Sequence, residues 1–192
     1  MLNRILCAAL ASGALVLSGS VTAQELKIAL IAGKTGPLEA YAKDTEKGFM
    51  LGLEYLTNGT MALNGRKIRV IVKDDQLKPD LGKAMLAEAY ADDKVDIAVG
   101  TTSSGVALAM LPVAEEYKKV LIVEPAVADA ITGDKWNRYI FRTGRNSAQD
   151  GLASAATLKS GGSVAYLAQD YAFGRDGVKA GKEALAAVGS KA

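Results

Sequence analysis

From Leu26 onward the chain alternates short apolar runs, rich in β-branched residues, with longer stretches of helical periodicity, and no other feature limits the fold as strongly. The runs span residues 27–32, 68–72, 96–99, 120–123, 139–141 and 164–168. They are apolar nearly throughout instead of alternating with polar residues, the pattern of strands in a parallel sheet covered on both faces. Between them Phe49, Leu53 and Leu56 fall at helical spacing, as do Leu81, Met85 and Ala89 after Pro79, and then Val106, Met110, Val113 and Tyr117. Val178, Leu185 and Val188 predict a last helix running to Lys191 and Ala192. Each set marks one buried helical face. Strand and helix in this order predict an α/β fold with doubly wound parallel sheets.

Asn58-Gly59 and Asn64-Gly65 mark a turn-rich link before the second run. A larger break lies between Thr143 and Gln149, where Gly144, Arg145, Asn146 and Ser147 interrupt the pattern before it restarts with Leu152, Leu158 and Gly161-Gly162. We read residues 24–143 as an N-terminal α/β lobe and residues 144–192 as the start of a second; a loop inside one domain is the alternative on composition. One strand and two helices cannot cover a sheet, so the sequence is expected to continue beyond Ala192.

Ahead of this pattern, Arg4 precedes an apolar run over residues 5–17 and a small-residue end, Val21-Thr22-Ala23. That order predicts a secretory leader over residues 1–23, cut between Ala23 and Gln24, and hence a periplasmic location. The run is shorter than the roughly 20 residues a transmembrane helix needs, so no membrane insertion is expected. The single cysteine, Cys7, lies inside the leader and not at a lipid-attachment position, so the mature chain carries no thiol. Histidine is absent, which removes the commonest general base and metal ligand. Without Arg4, 22 basic residues face 21 acidic ones, and so balanced a charge gives no electrostatic case for nucleic acid.

In an open α/β sheet ligands bind outside the carboxyl ends of the strands, so the loops after the strands are the ones to inspect. The first, from Gly33 to Tyr41, ends in an aromatic that either stacks on a solute or packs on the sheet. The third is Gly100-Thr101-Thr102-Ser103-Ser104-Gly105, directly before a helix. Hydroxyls and free N–H groups at a helix N-terminus suit a carboxylate; the alternative is that Ser103 or Ser104 is merely the helix cap. The fourth loop, Glu124-Pro125-Ala126-Val127-Ala128-Asp129, offers backbone groups, and the sixth, Gln169 to Gly174, brings Tyr171 and Phe173. Asp74-Asp75 reads as a pair of solvated turn residues, with no third ligand at metal spacing. Val106 stands where a phosphate-binding loop needs lysine, and neither G-x-S-x-G nor a dinucleotide-binding G-x-G-x-x-G occurs, so binding without turnover, metal or cofactor is expected.

Taken in order, Thr35-Gly36-Pro37 with Tyr41, Asp74-Asp75, Gly100 to Ser104, Glu124-Pro125-Ala126, Phe141-Arg142-Thr143 and Tyr171-Ala172-Phe173-Gly174 resemble the leucine/isoleucine/valine-binding protein family. These are periplasmic solute receptors with the type I periplasmic-binding fold, and the similarity runs from about Leu26 to the C-terminus. The resemblance implies two lobes that close on a solute and a monomeric receptor that docks on the permease of an ABC transporter. It implies that Ser104 bonds a ligand carboxylate beside Thr102 and Ser103, that Ala126 adds backbone contacts and that Tyr41 walls the cleft. Ala128 and Phe173 stand where amino-acid binders of the family often keep a threonine and a tyrosine, a change that suits a more apolar carboxylate, and the ligand is expected to be a branched-chain or other amino acid or an aromatic acid. Arg142 or Arg145 would add a positive charge near the cleft. A ligand-sensing domain of a signalling receptor with the same fold is the alternative function.

Overall fold

In a computed structural model, residues 24–158 and 163–189 are described; the leader expected over residues 1–23 lies outside them. Six strands form one sheet: β1 (Leu26–Ala32), β2 (Ala62–Leu63), β3 (Arg66–Asp74), β4 (Ile97–Gly100), β5 (Val120–Val123) and β6 (Ile140–Arg142), in the order β2-β3-β1-β4-β5-β6. All pairings are parallel except that of β2 with β3. The helices are α1 (Glu39–Leu56), α2 (Pro79–Ala91), α3 (Ser104–Tyr117), α4 (Ser147–Thr157) and α5 (Ala172–Ala187), with a 3-10 turn over Asp129–Ile131.

The chain is doubly wound because successive side chains of a strand point to opposite faces. Ala29 and Ile31 of β1, with Ala98, Leu121 and Val123, pack beneath Leu86 and Ala89 of α2 and Val106, Met110 and Val113 of α3. Ile28, Leu30 and Val99 face the other way, against Phe49 and Leu53 of α1. Counting only the parallel strands, the order is 2-1-3-4-5 along the chain, so the direction of winding reverses between β1 and β4. The register aligns the strand ends there: Ala32 pairs with Asp74, and Ile31 with Gly100. Gly100 is required at this crossing. Its φ is 146°, and a Cβ would lie 2.0 Å from the carbonyl oxygen of Ile31.

The first five apolar runs are strands, as expected. The sixth is not: residues 164–169 belong to no described strand, and Leu167 is fully exposed. A run becomes a strand by pairing, and residues 164–169 join no ladder among the described residues. The link around Asn64-Gly65 is a hairpin, since both residues have positive φ (50° and 78°) and join the short β2 to β3. Leu56, Leu152 and Leu158 are exposed instead of buried, Val188 lies past the end of α5, and Phe141 is 53% exposed on the edge strand β6. The break at Gly144–Ser147 becomes the start of α4: Asn146 and Gln149 exchange bonds in a capping box. α4 and α5 pack together around Ala155, Ala184 and Leu185, with Val164 and Tyr166 against them.

Candidate functional site

The loops that leave β1, β4 and β5 meet at the reversal of winding and are tied to one another by one bond after another. The Gly33 N–H donates to Thr102 Oγ1 (3.1 Å), the Ala126 N–H to the Thr101 carbonyl (3.2 Å), and the Ala128 N–H to Ser104 Oγ (3.2 Å). Ser103 is the residue before α3, and its side chain makes no capping bond. Ser104 is the first helical residue and is 2% exposed. Its hydroxyl oxygen accepts from Ala128 and so keeps its own proton free to donate. Beside it the first N–H groups of α3 lack partners within the helix, and the helix dipole makes this end positive.

A cavity of about 180 Å³ opens here. It is lined by the hydroxyl-bearing Thr102 and Ser104, by Pro125, Ala126 and Val127, by Leu38 and the rings of Tyr41, Tyr171 and Phe173, and by Arg145 and Gln169. Tyr171 and Phe173 stand 6.0 Å apart, ring to ring. Burial, and then the neighbouring Tyr41, push the Tyr171 hydroxyl above its ordinary pKa. Arg145 holds Asp150 through Nε at 2.7 Å, and the lining includes no carboxylate among the described residues.

Five of the seven residues singled out in the sequence thus face one cavity: Tyr41, Thr102, Ser104, Ala126 and Phe173. Ser103 and Ala128 stand behind the lining, both buried. Arg142 is turned away, donating to the Ala128 carbonyl (2.8 Å) and to Thr132 Oγ1, so of the two arginines only Arg145 reaches the cavity. Tyr171 was legible as an aromatic in the sixth loop, whereas Leu38, Val127 and Gln169 were marked only by lying in the loops after the first, fourth and sixth apolar runs. Asp75 overturns its reading as a solvated residue. It is fully buried and accepts from the Leu77 N–H (2.8 Å) and from Thr101 Oγ1. Among the described residues no group of three histidines, cysteines or carboxylates is placed to hold a metal, and no helix is long and apolar enough to cross a membrane.

This geometry has known relatives. The family model for periplasmic binding proteins matches residues 25–192. The chain belongs to the periplasmic binding protein family. The Leu/Ile/Val-binding protein BraC3 of Rhizobium johnstonii is 27% identical over 136 residues, which cover 71% of this periplasmic binding protein and 36% of the relative. Among solved structures, an ABC-type branched-chain amino acid transporter from Rhodopseudomonas palustris is 72% identical with a TM-score of 0.74, covering 87% of this chain and 45% of that one. A solute-binding protein of an ABC transporter from the same species, in complex with 3,4-dihydroxybenzoic acid, is 31% identical with a TM-score of 0.76, covering 88% and 45%. The chain therefore spans less than half the length of these relatives, and its sheet is that of the type I periplasmic binding proteins.

Proposed function

We propose that the protein carrying this chain is a non-catalytic periplasmic receptor, exported by a leader over residues 1–23, that captures a small carboxylate and delivers it to the permease of an ABC importer. The observation that carries this reading is that Thr102 and Ser104, at the N-terminus of α3, line the same cavity as the rings of Tyr41, Tyr171 and Phe173. In that site the Ser104 O–H donates to a carboxylate oxygen, Thr102 borders the same oxygen, and the turn at Ser103 presents the N–H groups of α3. Ala128 acts through Ser104, whose hydroxyl it orients by its own N–H. Ala126 presents backbone, and Tyr41, Tyr171 and Phe173 enclose the body of the solute. Residues 24–143 form the lobe that holds the anion, and residues from 144 onward begin the lobe that closes on it.

Three rings and Arg145 line the cavity, and among the described residues the lining holds no carboxylate, which favours an aromatic acid; the likeness to the dihydroxybenzoate complex supports that choice, whereas the 72% identical relative is named for branched-chain amino acids, so both classes enter the test. The test is a thermal-shift screen of the intact protein against benzoates and branched-chain amino acids, because a solute that binds only the folded state raises the melting temperature. Stabilisation by benzoates is the expected result. No stabilisation by any small carboxylate refutes the proposal.

A further inference from the structure

The neighbouring carboxylates at the end of β3 have opposite surroundings, although the sequence makes them look alike. Asp74, the last residue of β3, accepts through Oδ1 from the N–H groups of Lys34 (2.8 Å), Thr35 (3.3 Å) and Gln76 (3.0 Å), and through Oδ2 from Thr35 Oγ1 (2.5 Å). All but one of these donors belong to the loop between β1 and α1, which leads to Leu38 and Tyr41 in the cavity wall. Asp75 points the other way, as the next residue on an extended chain must. Its Cβ lies against Gly82 of α2, and its carboxylate holds the Thr101 hydroxyl in the loop between β4 and α3. Thr101 is itself fully buried and passes the restraint on through its carbonyl to the Ala126 N–H. The next residue, Thr102, lines the cavity.

A carboxylate with no exposed surface is costly to keep charged, and a loop that needed only a bond could use a serine or asparagine at lower cost. Here the Asp75 carboxylate accepts from two donors at once, the Leu77 N–H and the Thr101 hydroxyl, and so fixes the strand exit and the neighbouring loop together. We propose that Asp74 and Asp75 are paired positioning residues of the binding site: Asp74 sets the aromatic wall and Asp75 sets the anion-holding loop. This rests on the carboxylate-receptor reading above. It adds that the shape of the pocket and its grip on the anion are controlled from one dipeptide that does not line the cavity.

The experiment compares the intact protein with Asp74→Ala and Thr101→Val, the latter removing the hydroxyl while keeping the side chain's shape. Asp75→Ala is avoided because it leaves a buried void beside Gly82 and the Thr101 hydroxyl without its acceptor. Amide hydrogen exchange in the ligand-free protein reads the fastening directly: the Lys34 and Thr35 amides are expected to exchange about tenfold faster in Asp74→Ala, and the Ala126 amide about tenfold faster in Thr101→Val. Affinities for benzoate and isoleucine then separate the two roles. Asp74→Ala changes the ratio between the two probes, while Thr101→Val weakens both by a similar factor of about ten and Thr101→Ser restores them. Unchanged exchange at those amides overturns the inference, as does an equal loss for both probes in both variants, which is what mere destabilisation gives. If the parent binds neither probe, the receptor reading fails, and the exchange result still decides whether the two loops are fastened as described.

Discussion

Replacing Ser104 by alanine removes one hydroxyl with two jobs, and the structure lets their costs be separated. Ser104 Oγ accepts the N–H of Ala128, and both residues are buried at 2% exposure. The variant leaves that N–H without its partner, a cost of about 1–3 kcal/mol in stability. For a domain of this size that lowers the melting temperature by about 2–4 °C per kcal/mol. In the liganded protein the same hydroxyl donates to a carboxylate, and a bond to a charged group contributes about 1.5–3 kcal/mol. At about 1.4 kcal/mol per factor of ten, affinity for the best carboxylate found in the screen falls by roughly 10- to 100-fold. Isothermal titration calorimetry of the intact protein measures this loss, and melting curves of the unliganded variant report the stability cost. Ser104→Thr keeps a hydroxyl and is expected to retain most of the affinity. A folded Ser104→Ala protein with unchanged affinity would refute the assignment of the anion to the start of α3.

Other consequences can be measured alongside it. Phe173→Ala removes a ring that lines this cavity and a second one beside α4 and α5, and is expected to weaken benzoate binding at least tenfold by calorimetry. Gly100→Ala forces a side chain into a left-handed φ and onto the Ile31 carbonyl, and urea melts should show a loss of more than about 2 kcal/mol. The two aspartates give pH effects of opposite sign. Partial burial works to raise Asp74, but the Thr35 hydroxyl and the Gln76, Lys34 and Thr35 amides outweigh it and hold the group below its ordinary pKa. Its stabilisation is therefore present above about pH 4 and lost as pH falls through the folded value, and Asp74→Asn should flatten that acid limb in chemical melts. Burial instead pushes Asp75 up, so the folded protein binds that proton more tightly than the unfolded chain does and loses stability as pH rises from about 4 through the folded value. Melts of Asp75→Asn across the same range should lack that decline; an unaltered pH profile in either variant contradicts its assigned environment.

What the sequence settled by itself was the class of fold and the place to look. Short, β-branched apolar runs are the pattern of strands covered on both faces, and their alternation with amphipathic stretches leaves few arrangements besides a doubly wound sheet. The loops at Gly33 and Gly100 were therefore marked as the site by topology, and the hydroxyls of Thr102 and Ser104 by their position before a helix. Tertiary structure decided what depends on neighbours distant in the chain. Residues 164–168 carry strand-forming composition yet find no described partner, because pairing is a property of two segments and not of one. Asp74 and Asp75 are chemically identical in the sequence, and only the opposite directions of adjacent side chains, set against loops 40 and 26 residues away, make one partly solvated and low in pKa and the other buried and high. The same distance effect turned Arg142 toward the Ala128 carbonyl and left Arg145 at the cavity. Local pattern fixes which face of an element is apolar, whereas hydrogen-bond partners across the sheet fix which polar side chains remain free to hold a solute.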